Sequence, residues 1–125
     1  MKSITIEQLK EDLDNNVDFI LIDARDTQAY ARAHIPKAKC ISPDCGDECI
    51  TRAFPDKTKK IVTYCSSVDC ELSKKLCYVL EKLGYQDVWH YAGGMKEWVW
   101  QKHPIEDKEG HVIRPSKDRI TQAVR

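Results

Sequence analysis

The residues best suited to chemistry in this chain are two cysteines that bracket a short polar segment. The segment reads Cys65-Ser66-Ser67-Val68-Asp69-Cys70. The apolar run at residues 61–64 predicts a buried strand before it, and the amphipathic pattern of residues 71–83 predicts a helix after it. A thiol between a strand end and a helix start lies where backbone N–H groups favour its anionic form. Cys65 is therefore the candidate nucleophile.

Opposing charges act on this cysteine. The start of the following helix favours a thiolate by about 0.3–1 kcal/mol. A carboxylate of Asp69 or Glu71, at roughly 6 Å, opposes the thiolate by about 0.7 kcal/mol in water-like surroundings. The two effects are comparable, so the sequence favours neither protonation state. A buried, unreactive cysteine is the structural alternative.

Three further cysteines, Cys40, Cys45 and Cys49, form the pattern C-x4-C-x3-C. Zinc sites usually combine four ligands with tight C-x2-C pairs, so no metal site is predicted, although a metal-binding variant stays open. Loop thiols, core thiols and auxiliary sulfur acceptors are the other interpretations. Cys77 lies beside the apolar stripe of its predicted helix and is expected in the core.

Composition argues against several kinds of partner. The 125 residues include 20 Lys and Arg and 20 Asp and Glu, so the formal charge is zero. This balance excludes a global attraction to polyanions, and the basic run at residues 57–60 is interpreted as a solvated turn. No apolar stretch approaches the length of a membrane span. We therefore expect neither a nucleic acid nor a membrane as partner.

The N-terminus predicts a helix rather than an export signal. Thr5 is a suitable N-cap, with Gln8 three residues later, and no apolar stretch leads to a cleavage site. A cytoplasmic location is expected on this ground. In a reducing compartment, six cysteines favour catalysis, redox chemistry or metal binding over a disulfide framework.

Strand patterns alternate with helix patterns along the chain. The strands are expected at residues 18–23, 38–41, 61–64 and 87–91. This alternation predicts an α/β domain with a mostly parallel sheet, whose ligands bind beyond the carboxyl ends of the strands.

A change in composition divides the chain into two regions. Residues 1–103 are predicted to form the domain, and residues 104–125 a C-terminal extension with a turn at Gly110 and a partly mobile end.

Five motifs resemble those of the single-domain rhodanese-like sulfurtransferase family. They occur in family order over about residues 4 to 102. The motifs are Leu21-Ile22-Asp23-Ala24-Arg25, residues 30–38 around His34-Ile35-Pro36, Cys65 at the active-site position, Gly84-Tyr85, and residues 93–98, Gly-Gly-Met-Lys-Glu-Trp.

The resemblance implies a fold and an activity. The fold is a five-stranded, mostly parallel sheet flanked by helices on both sides, with a six-residue active-site loop. The activity is transfer of sulfane sulfur from polysulfide, persulfide or thiosulfate, through a persulfide on Cys65, to a thiol, protein or other thiophilic acceptor. Ser66, Ser67, Val68 and Asp69 would bind the substrate, and no cofactor is implied.

The chain departs from the family pattern at several positions. Ala33 and Lys37 replace frequent glycines, and the loop ends in Cys70 where Arg or Thr is common. Without a basic residue in this acidic loop, thiosulfate is less favoured as the donor. We hypothesise that Cys70 attacks the persulfide on Cys65, releasing sulfide and leaving a disulfide. A non-catalytic interaction module and a Cys65/Cys70 dithiol redox protein are the alternatives.

Other residues of the motifs have structural interpretations. Asp23 and Arg25 are expected to support the loop or pair locally, and His34 is expected to be hydrogen-bonded in a turn. The tryptophans are interpreted as packing residues, one of which could line the mouth of the site. They are Trp89, Trp98 and Trp100.

Overall fold

A central parallel sheet organises the chain in the computed structural model, which describes residues 1–114. Its five strands lie in the order β1-β5-β4-β2-β3, and every neighbouring pair is parallel. The strands are β1 (Lys2–Ser3), β2 (Ile20–Asp23), β3 (Lys39–Cys40), β4 (Lys60–Tyr64) and β5 (Asp87–Tyr91). The predicted α/β fold and its parallel sheet are confirmed. Strand β1 was not predicted, because two residues are too short for a periodic pattern.

Helices cover both faces of this sheet. They are α1 (Ile6–Asp14), α2 (Thr27–Arg32), α3 (Asp47–Ala53), α4 (Leu72–Lys82) and α5 (Gly94–Trp100), with a 3-10 helix at Pro43–Cys45. Neighbouring strand residues point to opposite faces, so Leu21 packs with α1 and α5 while Ile22 packs with α3 and α4. The sheet is therefore buried on both sides, as the continuous apolar runs of its strands predicted.

The first helix begins as its sequence predicted. The Thr5 side chain accepts a hydrogen bond from the Gln8 backbone N–H at 3.2 Å. Ile4 and Leu9 flank this cap and are both buried in the core. The N-cap chemistry of Thr5 is thereby confirmed.

The start of the predicted C-terminal extension packs against the rest of the domain. A hairpin joins β6 (Ile105–Glu106) to β7 (Val112–Ile113), and Gly110 turns it with a φ of +83°. Ile105 is buried in the core, and Glu106 exchanges backbone hydrogen bonds with His34. The predicted turn at Gly110 is confirmed. The expected mobile end concerns residues 115–125, which lie outside the described part of the chain.

Lys37 keeps the turn that a glycine often makes in this family. Its φ is +74°, in the left-handed region, and its backbone N–H donates to Glu106 Oε1 at 2.9 Å. Ala33, at the other departure from glycine, is in an extended conformation open to any residue. Lys37 therefore holds a backbone conformation that favours glycine, whereas Ala33 does not.

Among residues 1–114, no helix is both long enough and apolar enough to cross a membrane.

Candidate active site

Cys65 lies directly after β4, at the carboxyl end of the sheet. Its residue surface is only 2% exposed. The sheet register pairs Tyr64, the residue before it, with Asp23 of β2 and with Tyr91 of β5. The nucleophile expected from the sequence is thus held at the centre of the edge where parallel sheets bind ligands.

Cys70 closes the six-residue loop onto Cys65. Their sulfur atoms form a disulfide bond, and their Cα atoms are 6.2 Å apart. The Cys70 N–H donates to the Ser67 carbonyl at 3.1 Å, which curls the loop. The structure thus brings together the two sulfur atoms that the sequence hypothesis required to meet, and it holds them in their oxidised form.

Helix α5 holds the first two peptide groups of the loop. The Met95 N–H donates to the Cys65 carbonyl at 2.9 Å, and the Lys96 N–H donates to the Ser66 carbonyl at 2.8 Å. In a trans peptide the N–H points opposite to the carbonyl. The N–H groups of Ser66 and Ser67 therefore point away from α5.

Gly94 makes this contact possible. Its φ is +65°, and a Cβ at this position would lie 2.5 Å from the Cys65 carbonyl oxygen. Any other residue would have to push the helix start away from the loop. The second glycine of the Gly-Gly motif is thus explained by close backbone approach.

A buried ion pair lies beside the loop. Arg25 donates from Nε and NH2 to both carboxylate oxygens of Asp23, with a shortest distance of 2.7 Å, and donates to the Ala33 carbonyl at 2.6 Å. Burial opposes the charge of Arg25, but the Asp23 carboxylate outweighs it and raises the pKa of the guanidinium. The structural interpretation of Asp23 and Arg25 is confirmed.

Tyr64 ties this ion pair to the active-site strand. Its hydroxyl donates to Asp23 Oδ2 at 2.9 Å and accepts from the Ile35 N–H at 3.0 Å. Complete burial, with the Asp23 charge, raises the pKa of Tyr64 well above its usual value. Nearby, His34 is 4% exposed, and its Nδ1 is 2.7 Å from the Tyr30 carbonyl, as expected of a structural histidine.

A cavity of about 270 Å³ opens at Cys65. Its lining combines two arginines and one acidic residue with both loop cysteines and an apolar side. The residues are Arg25, Asp26, Ala29, Arg32, Cys65, Ser66, Cys70 and Leu72. The loop itself contains no basic residue, but α2 supplies Arg32 from elsewhere in the chain. The position of Arg32 near the loop could have been predicted from the topology, because α2 starts at the same carboxyl edge of the sheet.

The other side of the loop lines a second cavity, also of about 270 Å³. Ser67, Val68 and Asp69 face it, together with Gly93, Lys96, Glu97 and Trp100. Val68 and Trp100 are 71% and 69% exposed. Of the four predicted substrate-binding residues, only Ser66 lines the Cys65 cavity. Trp100 lines the neighbouring cavity, whereas Trp98 is buried in the core.

The remaining cysteines fall into two groups. Cys45 and Cys49 form a second disulfide, with Cα atoms 5.8 Å apart, a pairing that the spacing did not predict. Cys40 is a half-buried free thiol 3.5 Å from the Arg25 carbonyl. Cys77 is fully buried as expected, and burial raises its pKa to about 11.

The fold and the cysteine loop together define the class of protein. Together they form a parallel α/β domain with a cysteine at the carboxyl end of its central strand. Residues 5–101 match the model of the rhodanese-like domain. The chain therefore belongs to the rhodanese-like domain family.

Three relatives illustrate this membership. The chain is 31% identical over 120 residues to mouse thiosulfate sulfurtransferase/rhodanese-like domain-containing protein 3. This match covers 86% of this chain and 74% of the mouse protein. A crystal structure of a Bacillus halodurans protein has a TM-score of 0.80 at 26% identity, over 97% of this chain and 89% of that one. An E. coli rhodanese with anions has a TM-score of 0.59 at 28% identity, over 72% of this chain and 99% of that one.

Proposed function

We propose that this protein is a rhodanese-type sulfurtransferase that carries sulfane sulfur as a persulfide on Cys65. The observation that carries the proposal is the setting of this residue. Cys65 follows the central strand, lines a cavity with Arg25 and Arg32, and lies within disulfide distance of Cys70. The donor is a polysulfide, an organic persulfide or thiosulfate, and the acceptor is a thiol or another thiophilic group.

Loading starts from the reduced protein, because the Cys65–Cys70 disulfide occupies the reacting sulfur. The Cys65 thiolate attacks the outer sulfur of the donor, and a new S–S bond forms. The S–S bond of the donor breaks, and the leaving group takes its electron pair. That group is a shorter polysulfide, a thiolate or sulfite, according to the donor.

Two features support an anionic sulfur in this cavity. The N–H groups of Ser66 and Ser67 are directed away from α5, so this helix does not compete with an anionic sulfur for them. The Arg25 and Arg32 side chains line the same cavity and would attract an anionic donor. The related E. coli rhodanese is described with anions.

Two routes of unloading follow from the paired cysteines. An acceptor thiolate can attack the outer sulfur, taking it up and returning Cys65 as a thiolate. Alternatively, the Cys70 thiolate attacks Cys65 Sγ, and HS⁻ leaves with the electron pair. In this second route the two cysteines are oxidised to a disulfide while the sulfane sulfur is reduced to sulfide, and a thiol reductant must restore the site.

Intact-mass measurement after sulfur loading tests the proposal. The reduced protein is treated with polysulfide or thiosulfate and separated from the donor, and the masses of the intact protein and of its peptides are measured. Wild type and the control Cys40→Ser should gain the mass of sulfur on the Cys65 peptide, whereas Cys65→Ala should gain none there. Cys70→Ser should hold its persulfide longer and release less sulfide. Absence of sulfur on Cys65 in both wild type and Cys70→Ser, with no sulfide released, would instead support a non-catalytic interaction module.

The disulfide itself favours a second candidate, a Cys65/Cys70 dithiol redox protein. Its Cα separation of 6.2 Å lies within the usual range of about 4.4–6.8 Å. In this function the pair exchanges electrons with other thiols and carries no sulfur. Formation of the disulfide by low-molecular-weight disulfides, without any sulfur loading, would favour this candidate.

A further inference from the structure

We infer that Cys45 and Cys49 form a second thiol–disulfide exchange site, with Cys49 as the residue that reacts with external thiols. This inference goes beyond the proposed function and does not rest on it. The pair lies outside the Cys65–Cys70 loop, between β3 and β4. The thiols it would take are small molecules that are neutral or positively charged.

The position of the pair allows its sulfur atoms to join and separate. Cys45 ends the 3-10 helix Pro43–Cys45, and Cys49 lies in the first turn of α3. Between them Gly46 turns the chain, with a φ of +94° and no neighbouring atom within 4 Å of a Cβ built there. The Cα separation of 5.8 Å suits a disulfide, and the turn has open space around it.

The two cysteines differ in access to solvent. Cys49 is exposed, whereas Cys45 is half-buried and packs against the core cluster that contains Ile50. An external thiolate can therefore reach the sulfur of Cys49 more easily than that of Cys45. Attack at Cys49 makes Cys45 the leaving group, and in the reverse, oxidising direction the core-packed Cys45 thiolate resolves the mixed disulfide on Cys49.

Contacts other than this disulfide also hold the local fold. The Cys45 N–H donates to the Ser42 carbonyl, and the Ile50 N–H donates to the Gly46 carbonyl, each at 3.0 Å. Ile50 is fully buried, and Phe54 is 4% exposed at the end of α3. These contacts anchor the segment on both sides of the bond. Since the bond closes only a short loop, it also constrains the unfolded chain less than a long-range disulfide would.

The exchange balances with thiols alone. A thiolate RS⁻ attacks Cys49 Sγ, the Cys45–Cys49 bond breaks, and Cys45 leaves as a thiolate. A second RS⁻ attacks the R-group sulfur of the mixed disulfide, which yields RSSR and the Cys49 thiolate. The pair gains two electrons, and two thiols are oxidised to one disulfide. The reverse reaction uses RSSR as the oxidant.

Charge near the pair selects among such thiols. Asp47 and Glu48 lie between the two cysteines and are exposed, and Glu48 pairs with Arg52 at 3.5 Å. Two exposed carboxylates at roughly 8 Å repel an anionic thiol weakly, which screening reduces to a rate effect of about 2- to 5-fold. Cationic cysteamine should therefore react faster than anionic glutathione.

The test uses the full chain in a Cys65→Ser/Cys70→Ser background, so its outcome is independent of sulfur transfer. The protein is equilibrated with glutathione at different ratios of thiol to disulfide, trapped with acid and mapped by peptide mass. Reversible opening and closing of Cys45–Cys49, with an unchanged circular dichroism spectrum, is the expected result. A pair that stays closed, stays open at every ratio, or unfolds the domain when reduced would overturn the inference.

Single variants test the assignment of Cys49. Cys45→Ser should trap a glutathione adduct on Cys49 at least about 10-fold faster than Cys49→Ser traps one on Cys45, because the exposed sulfur is attacked first. Equal trapping would contradict the assignment.

Thiol selectivity tests the charge argument. Rates for cysteamine and glutathione are normalised to their reaction with hydroxyethyl disulfide. The expected preference for cysteamine should fall below about 2-fold in Asp47→Asn/Glu48→Gln, which removes the repulsion. A preference unchanged by that double variant would contradict the stated thiol class.

Discussion

Individual side chains decide how the site handles charge. Cys65 lines one cavity with Arg25 and Arg32, and the loop N–H groups of Ser66 and Ser67 point away from α5. Arg25 is already bound to Asp23 and to a backbone carbonyl, which fixes its position. Arg32 is exposed at the same cavity, so it is the side chain best placed to meet a donor entering from solvent.

Replacing Arg32 should therefore selectively weaken the binding of anionic donors. We expect Arg32→Ala to raise KM for thiosulfate about 10-fold, equivalent to one charge-assisted contact, with kcat changed less than about 3-fold. A neutral organic trisulfide should be unaffected. Arg52→Ala removes an exposed arginine of α3 and is the matched control. Equal effects of the two variants, measured by steady-state kinetics, would rule out a donor-binding role.

The Asp23–Arg25 pair makes a prediction about stability. Asp23→Asn leaves the Arg25 charge buried with a weaker partner, and we expect a loss of about 3 kcal/mol in the free energy of unfolding. Asp14→Asn breaks the exposed Lys10–Asp14 pair and should cost less than about 0.5 kcal/mol. Urea denaturation of both variants measures the difference. Similar losses would show that burial does not set the importance of these pairs.

Contacts between elements determine the shape of the loop. Helix α5 starts against the loop backbone, and Gly94 is the residue that allows the approach. Its neighbour Gly93 has helical backbone angles, and a Cβ there would meet only the flexible Glu97 side chain. The two glycines of one motif thus have different physical roles.

A pair of glycine substitutions separates backbone strain from steric clash. Gly94→Ala should cost at least about 3 kcal/mol, because it adds a clash with the Cys65 carbonyl to the cost of a positive φ. Gly110→Ala has a similar φ of +83° but open space, so it should cost only about 1–2 kcal/mol. The free energies of unfolding test this difference. Equal costs would mean that the loop moves freely to accept a side chain.

Much of this arrangement of elements was predictable from local signals. The Thr5 cap, the apolar run of β4 and the stripe of α4 are short-range patterns, and each marked its element correctly. The approach of α5 to the loop was visible only as a Gly-Gly motif. Its reason is a contact between residues 65 and 94, which no periodic pattern records.

At the scale of the whole molecule, the partial burial of a histidine in the sheet makes the stability of the fold depend on pH. His90 of β5 lies beside α4, and its Nε2 is 2.8 Å from Ser73 Oγ. Burial lowers the pKa of His90, Lys74 lowers it further, and Glu71 partly opposes them. The folded protein therefore binds fewer protons than the unfolded chain between the folded pKa and the ordinary value of about 6.5.

The stability of the domain should consequently fall as pH drops from about 7 to 5. His90→Asn should make stability depend less steeply on pH. Burial also lowers the pKa of His103, so His103 should cause part of the pH dependence that the variant retains. Carboxylates such as Asp107, whose pKa is lowered by hydrogen bonds from His111, lose their contribution only below about pH 4. Melting temperatures across this range provide the measurement. An unchanged slope in the variant would exclude His90 as a source.

The sequence by itself determined the α/β class, the order of its main elements and the cysteine at a strand end. These features depend on apolar periodicity, turn residues and motif order, which are properties of neighbouring residues. Only the tertiary structure decided that Arg32 and Cys65 line one cavity, that the start of α5 at Gly94 contacts the loop backbone, and that Cys45 pairs with Cys49. Parallel strand register and helix packing set the first two, because they bring together residues that are far apart in the chain, and the turn at Gly46 sets the third.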